Sequence, residues 1–192
     1  MAEIEVSPIV AGVVLVRPAV FGDERGRFLE SFRQEWLPAS ARPMIQANRV
    51  DRRGGALVGL HFHHHQSDYW YLVSGRARVV LHDLRRGSPT EGATMAVDLD
   101  DSGAGPALYI PPGVAHGFAA HSDLTLTYLV DGYYDPADEL GVAWDDPDIA
   151  AQWGLAELGW PVPVLSGRDQ ANPRRSELVG EVLPTFGPES AS

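Results

Sequence analysis

Residues 55–75 read GALVGLHFHHHQSDYWYLVSG, and the spacing within that stretch decides the fold. His61-x-His63 begins after five residues from Gly55, Asp68 comes after four more, and Gly75 closes the stretch after a further six. Side chains alternate along a strand, so His61, His63 and His65 are expected on one face, with Phe62 and His64 on the other. A sheet that turns the first face inward lines a cavity with imidazoles.

The second half of the pattern lies downstream, where Gly105 is followed after five residues by Pro111-x-Gly113-x-x-His116. The two runs together are similar to the two-part spacing of cupins. Arg76 to Leu84 and Leu124 to Val130 read as short strands by alternation, and Thr94 to Leu99 and Ala107 to Ile110 as short apolar runs. Turn residues separate them at Gly54-Gly55, Ser74-Gly75, Gly87-Ser88-Pro89, Asp101-Ser102-Gly103 and Pro112-Gly113. The expected fold is all-β: a cupin-type jelly roll, or double-stranded β-helix barrel. Short peripheral helices are expected at Ser31 to Trp36 and Asp148 to Trp153. A single domain is expected over residues 1–183, with a loose tail over 184–192, which is rich in Pro, Gly and Ser.

Composition removes several chemistries. All 15 basic residues are arginine and there is no cysteine, so Schiff-base lysine, P-loop lysine, thiolate catalysis, disulfides and Cys-ligated metal are excluded. The net charge of −11 argues against nucleic-acid binding, which rests on phosphate neutralisation. However, 12 of the arginines lie before residue 91, where they can meet a small anionic ligand. No apolar run approaches membrane-spanning length and the N-terminus is acidic, so no membrane partner and a cytoplasmic location are expected.

From the residues alone, His61 supports two readings. It is one ligand of a metal set with His63, Asp68 and His116, or it is a general base that needs a carboxylate to orient it. A third reading makes His63 to His65 a polar surface stretch.

Eight ordered blocks, most of them outside the His spacing, bear on this choice. They are Phe21 to Glu30, Gln46-Ala47-Asn48, Gly59-Leu60-His61-Phe62, Asp83 to Thr90, Ile110 to Phe118, Tyr128 with Tyr133-Tyr134, Trp144 to Pro147, and Leu165 to Asp169. Through them the chain resembles the dTDP-4-dehydrorhamnose 3,5-epimerase family, metal-free cupin homodimers that act on a nucleotide-linked 4-keto-6-deoxy sugar. The resemblance implies a cofactor-independent isomerase of deoxysugar biosynthesis, with His61 as base, Asp169 as its carboxylate partner and Tyr128 as acid. It also implies substrate contacts from Phe21, Arg25, Phe28, Glu30, Gln46, Asn48, His116 and Tyr133, and a homodimer. His116 is expected to donate to a keto or hydroxyl oxygen. Two positions depart from the family: Val58 stands where it writes Arg, and Asp68 where it supplies Lys. Each lost oxyanion donor typically removes about 3 to 4 kcal/mol of stabilisation, so either His63, His65 or Arg49 stands in, or the chain is a sugar-nucleotide-binding cupin of altered or lost activity.

Overall fold

A computed structural model describes residues 1–103 and 105–187. The strands are β1 (Glu3–Val6), β2 (Val14–Arg17), β3 (Val20–Asp23), β4 (Gly26–Leu29), β5 (Gln46–Arg52), β6 (Leu57–Phe62), β7 (Asp68–Ser74), β8 (Arg76–Asp83), β9 (Thr94–Asp100), β10 (Ala107–Ile110), β11 (Val114–Ala120), β12 (Leu124–Val130) and β13 (Leu140–Gly141). Six of them form one sheet in the order β1-β2-β10-β7-β12-β5, and five form a second in the order β13-β6-β11-β8-β9. β3 and β4 form a separate hairpin. The all-β, cupin-type expectation holds, and every pairing between these strands is antiparallel. Among the described residues no helix is long and apolar enough to cross a membrane.

Both sheets are covered on both faces, and alternation along the strands sorts the side chains. Val79 and Leu81 of β8 join Trp70, Leu72, Leu108, Phe118 and Leu126 in the layer between the sheets. Val80, from the same strand, packs the other way, with Leu57, Leu60, Phe62, Val142, Ile149, Trp153 and Leu155. A third cluster lies outside the six-stranded sheet, where Trp36 and Leu37 cover Val14, Val16, Tyr69 and Tyr109.

One strand breaks its alternation. Leu57 faces the outer cluster and Val58 the inner one, yet Leu60 and Phe62 face outward again. The break is a bulge: three steps along β6, from Val58 to His61, oppose two along β11, from Phe118 to His116. The extra residue reverses parity and turns His61 toward the layer between the sheets. Gly59 makes this possible. Its φ is 110°, and a Cβ there would lie 2.7 Å from both Gly117 Cα and the His116 carbonyl oxygen.

The expected strands at 107–110 and 124–130 appear with those bounds, and the other two differ by one residue at their C-terminal ends. The helices differ more. Only Gln34–Trp36 of the first forms, as a single 3₁₀ turn. Asp148 to Trp153 is not helical, because Asp146 accepts the Asp148 N–H and Ala150 takes the left-handed φ of 52°. The α-helix that does form, α1 (Gly167–Ala171), was not expected. Of the tail, residues 188–192 lie outside the described residues, and Pro184 and Phe186 are hydrogen-bonded to the Arg86 backbone.

Gly59→Ala is expected to lower unfolding free energy by about 3 kcal/mol or more, through strain added to a clash with backbone. Gly87→Ala is the control: Gly87 also has positive φ (78°) but has nothing within 4 Å of the added Cβ. Its cost is expected to stay near 1 kcal/mol. Urea unfolding of both variants checks the difference.

Candidate active site

β6 and β11 place His61 and His116 as directly paired residues on the five-stranded sheet. Across the layer, β7 and β12 of the other sheet contribute Asp68, Trp70 and Tyr128. Between them is a cavity of about 230 Å³, also lined by Val50, Arg52, Val58, His63, Gln66 and Glu139.

His61 Nε2 lies 2.6 Å from Asp169 Oδ1, joining residues far apart in sequence. The carboxylate accepts Nε2–H, which leaves the Nδ1 lone pair as the basic atom. Asp169 reaches this position because Ser166 caps α1: its Oγ accepts the Asp169 N–H (3.1 Å) and donates to Asp169 Oδ2 (2.8 Å). Burial pushes the Asp169 carboxyl up, but bonds from His61 and Ser166, the His61 charge and the Gly59 N–H outweigh it and hold the group below 3.8. Ser166 was not anticipated, although a Ser opening a short helix three residues before an acidic side chain is a capping signal.

Tyr128 is half-buried, with its phenol raised above 10 by burial and then by Asp68 and Glu139, against the opposing Arg52. It is therefore a protonated donor near neutral pH. His116 is buried, and desolvation presses its imidazole down to about 4. Its Nδ1–H is donated to the Val114 carbonyl at 2.9 Å. The expectation that His116 donates to substrate is thus corrected: its free Nε2 is an acceptor.

The structure brings His61, Tyr128, Asp169 and His116 together. Gln46 and Asn48 share a β5 face with Val50 and Arg52, and Asn48 pairs with Tyr128 in register. Phe21, Arg25, Phe28 and Glu30 stand apart, on or beside the exposed β3–β4 hairpin. There Phe21 pairs with Phe28, Arg25 binds Asp23, and Glu30 binds Arg33. Tyr133 is 74% exposed.

Of the three replacements expected for the missing cations, His63 lines the cavity, whereas His65 and Arg49 need correction. β6 ends at Phe62, so alternation does not carry to His65, which is exposed. His64 and His65 donate backbone N–H groups to the Asp138 carboxylate instead. Arg49 is tied to Asp51. The arginine at the cavity is Arg52, which the sequence reading passed over. The four-ligand metal set is likewise reduced, because His61 is engaged by Asp169. His63, Asp68 and His116 remain, with one potential ligand atom each, all within 4.8 Å of one another.

The profile of a family described as dTDP-4-dehydrorhamnose 3,5-epimerase matches residues 8–177. The chain belongs to that family. It is 34% identical to the dTDP-4-dehydrorhamnose 3,5-epimerase of Salmonella typhimurium, over 88% of this chain and 94% of that one. It is 39% identical to a dTDP-4-dehydrorhamnose 3-epimerase of Streptomyces niveus, over 84% and 78%. The crystal structure of dTDP-6-deoxy-D-glucose-3,5-epimerase from Legionella pneumophila, in complex with dTDP-4-keto-L-rhamnose, superposes with a TM-score of 0.88. It is 29% identical and covers 97% of this chain and 100% of that one. Within this epimerase family fold, the matched block Asp83 to Thr90 proves structural: buried Arg85 and Asp83 form an ion pair, and Ser88 and Thr90 donate to the same carboxylate.

Because Asp169 titrates lower when folded than when unfolded, its bonds stabilise the fold above pH 3.8 and are lost as pH falls through the folded value. Ser166→Ala is therefore expected to cost about 1 kcal/mol near neutral pH. The cost should shrink as pH falls from 3.8 through the folded value, below which only the cap to the Asp169 N–H remains. Urea midpoints at the two pH values measure this.

Proposed function

We infer that the chain is an epimerase of a dTDP-linked 4-keto-6-deoxy sugar, and that His61, Asp169 and Tyr128 carry the chemistry. The supporting observation is the placement of base and acid. His61, oriented by Asp169 at 2.6 Å, and Tyr128 line one cavity from opposite sheets. A sugar ring between them presents one face to each.

The C–H bond beside the C4 ketone breaks, its proton goes to His61 Nδ1, and its electron pair moves through the new C=C bond onto the carbonyl oxygen. Asp169 stabilises the imidazolium that forms. Tyr128 then gives a proton to the same carbon from the other face, and configuration inverts. The proton inventory balances without any oxidation or reduction. The apolar walls from Val50, Val58, Phe118 and Leu126 limit the water that competes with Tyr128.

The nucleotide half is assigned to Gln46 and Asn48 on the inner face of β5, and to Phe21, Arg25, Phe28, Glu30 and Tyr133 outside it. A homodimer explains the exposed apolar pair Phe21 (61%) and Phe28 (66%), together with the unpaired edge of β1, where Ile4 and Val6 are exposed.

Solvent deuterium incorporation at C3 and C5 tests the reading, and incorporation at one carbon marks a single-position epimerase. His61→Gln is expected to slow exchange by about 100- to 10,000-fold. Tyr128→Phe should retain exchange while losing inverted product, because the proton leaves and returns on the His61 side. Absence of exchange in the unaltered protein, with nucleotide sugar bound, would sink the proposal.

A further inference from the structure

We propose that His63, Asp68 and His116 hold a divalent transition-metal cation beside His61, where it supplies the positive charge left out by Val58 and Asp68. The three side chains are 5%, 3% and 5% exposed. Each histidine is already turned for ligation. His63 donates Nδ1–H to the Asp138 carbonyl at 2.6 Å, and His116 donates its own to the Val114 carbonyl at 2.9 Å. Both Nε2 atoms are thereby left as acceptors on cavity-lining residues, that of His63 meeting the Gln66 amide nitrogen at 3.3 Å. A ligating imidazole is held in this way, with its other nitrogen fixed by a carbonyl.

Asp68 supplies the negative charge. Its Oδ1 accepts from Gln66 Nε2 and its Oδ2 from Trp70 Nε1, both at 2.9 Å and both neutral donors. Among the described residues no arginine is paired with it, and its nearest basic group is His116 Nε2 at 3.9 Å. A buried carboxylate without a cation is costly, and the Gln66 amide offers only a partial positive charge. That amide nitrogen also lies 3.3 Å from His63 Nε2, so it faces two of the three candidate ligands. A cation bound there displaces it.

Two imidazoles with one carboxylate suit zinc, iron(II), cobalt or nickel, whereas magnesium and calcium prefer oxygen alone. Three protein ligands leave positions open for a substrate oxygen. The catalytic consequence rests on the epimerase reading. His61 takes the carbon-bound proton and Tyr128 returns one from the other face, while a cation held by His63, Asp68 and His116 would supply positive charge for the C4 oxygen. Asp169 keeps His61 out of the ligand set, so base and cation coexist.

The test uses full-length untagged protein, stripped with a chelator and titrated with Co²⁺ by calorimetry and visible absorption. Binding of about one equivalent with tetrahedral-type bands is expected. Asp68→Asn and His63→Gln should each weaken it by more than about tenfold, with circular dichroism confirming that both fold. No stoichiometric binding, or unchanged binding in both variants, overturns the site. Deuterium exchange is read in parallel and is expected to fall on chelation and to return with metal. Equal exchange in stripped and loaded protein overturns the catalytic role. Stoichiometric binding with no exchange in either state upholds the site and counts against the epimerase reading alone.

Discussion

The extra residue that β6 carries at Gly59 determines which side of the sheet His61 occupies. Without it, the parity set by Leu57 and Val58 would send His61 into the outer cluster with Val80 and Trp153. The inward turn requires β6 and β11 to approach so closely that neither Gly59 nor Gly117 has room for a Cβ. Pairing of His61 with His116 and the opposition of His61 to Tyr128 across the layer both descend from that backbone contact. The cavity is therefore a consequence of strand register more than of loop placement.

The second requirement is that the carboxylate partner arrive from elsewhere. Asp169 sits on α1, held by the Ser166 cap. The segment carrying it runs over the outer face of the five-stranded sheet, where Val142, Ile149, Trp153 and Leu155 bury apolar surface against Leu57, Leu60 and Phe62. Burial of this kind offsets the cost of placing an ionised group beside the sheet, and the contacts of the carboxylate with His61, Ser166 and the Gly59 N–H complete the compensation. Stability and chemistry meet in one place, since the residues that anchor the segment also fix the direction of the imidazole.

The strands were legible where the pattern is clean, as in the apolar run from Ala107 to Ile110 and the alternation from Leu124 to Val130. The His61-x-His63 spacing also announced the cavity. Its extension to His65 failed because strand periodicity ends where the strand ends, and nothing in a run of three histidines marks Phe62 as the last paired residue. Asp148 to Trp153 looked helical by pattern, but a local carboxylate-to-backbone bond and the left-handed Ala150 compete with the helix. α1 is only five residues long, too short to display a period, so its cap was the one available signal. Arg52 was passed over among several neighbouring arginines because only the strand register shows that it shares a face with Val50 at the cavity. Membership of the epimerase family was carried by ordered motif blocks, whereas the bulge that aims His61 was not, since a glycine's φ is set by the strand beside it.

The bond between His61 and Asp169 has a consequence for the history of each molecule. Its two ends are 108 positions apart, and the later one is made after every strand of the two sheets. The β-strands can pair and bury their inner layer while the chain is still being extended, but the imidazole has no oriented partner until α1 has been made and docked. An oriented imidazole is thus acquired after the strands rather than with them. A chain released before α1 has been made carries His61 without the carboxylate that orients it.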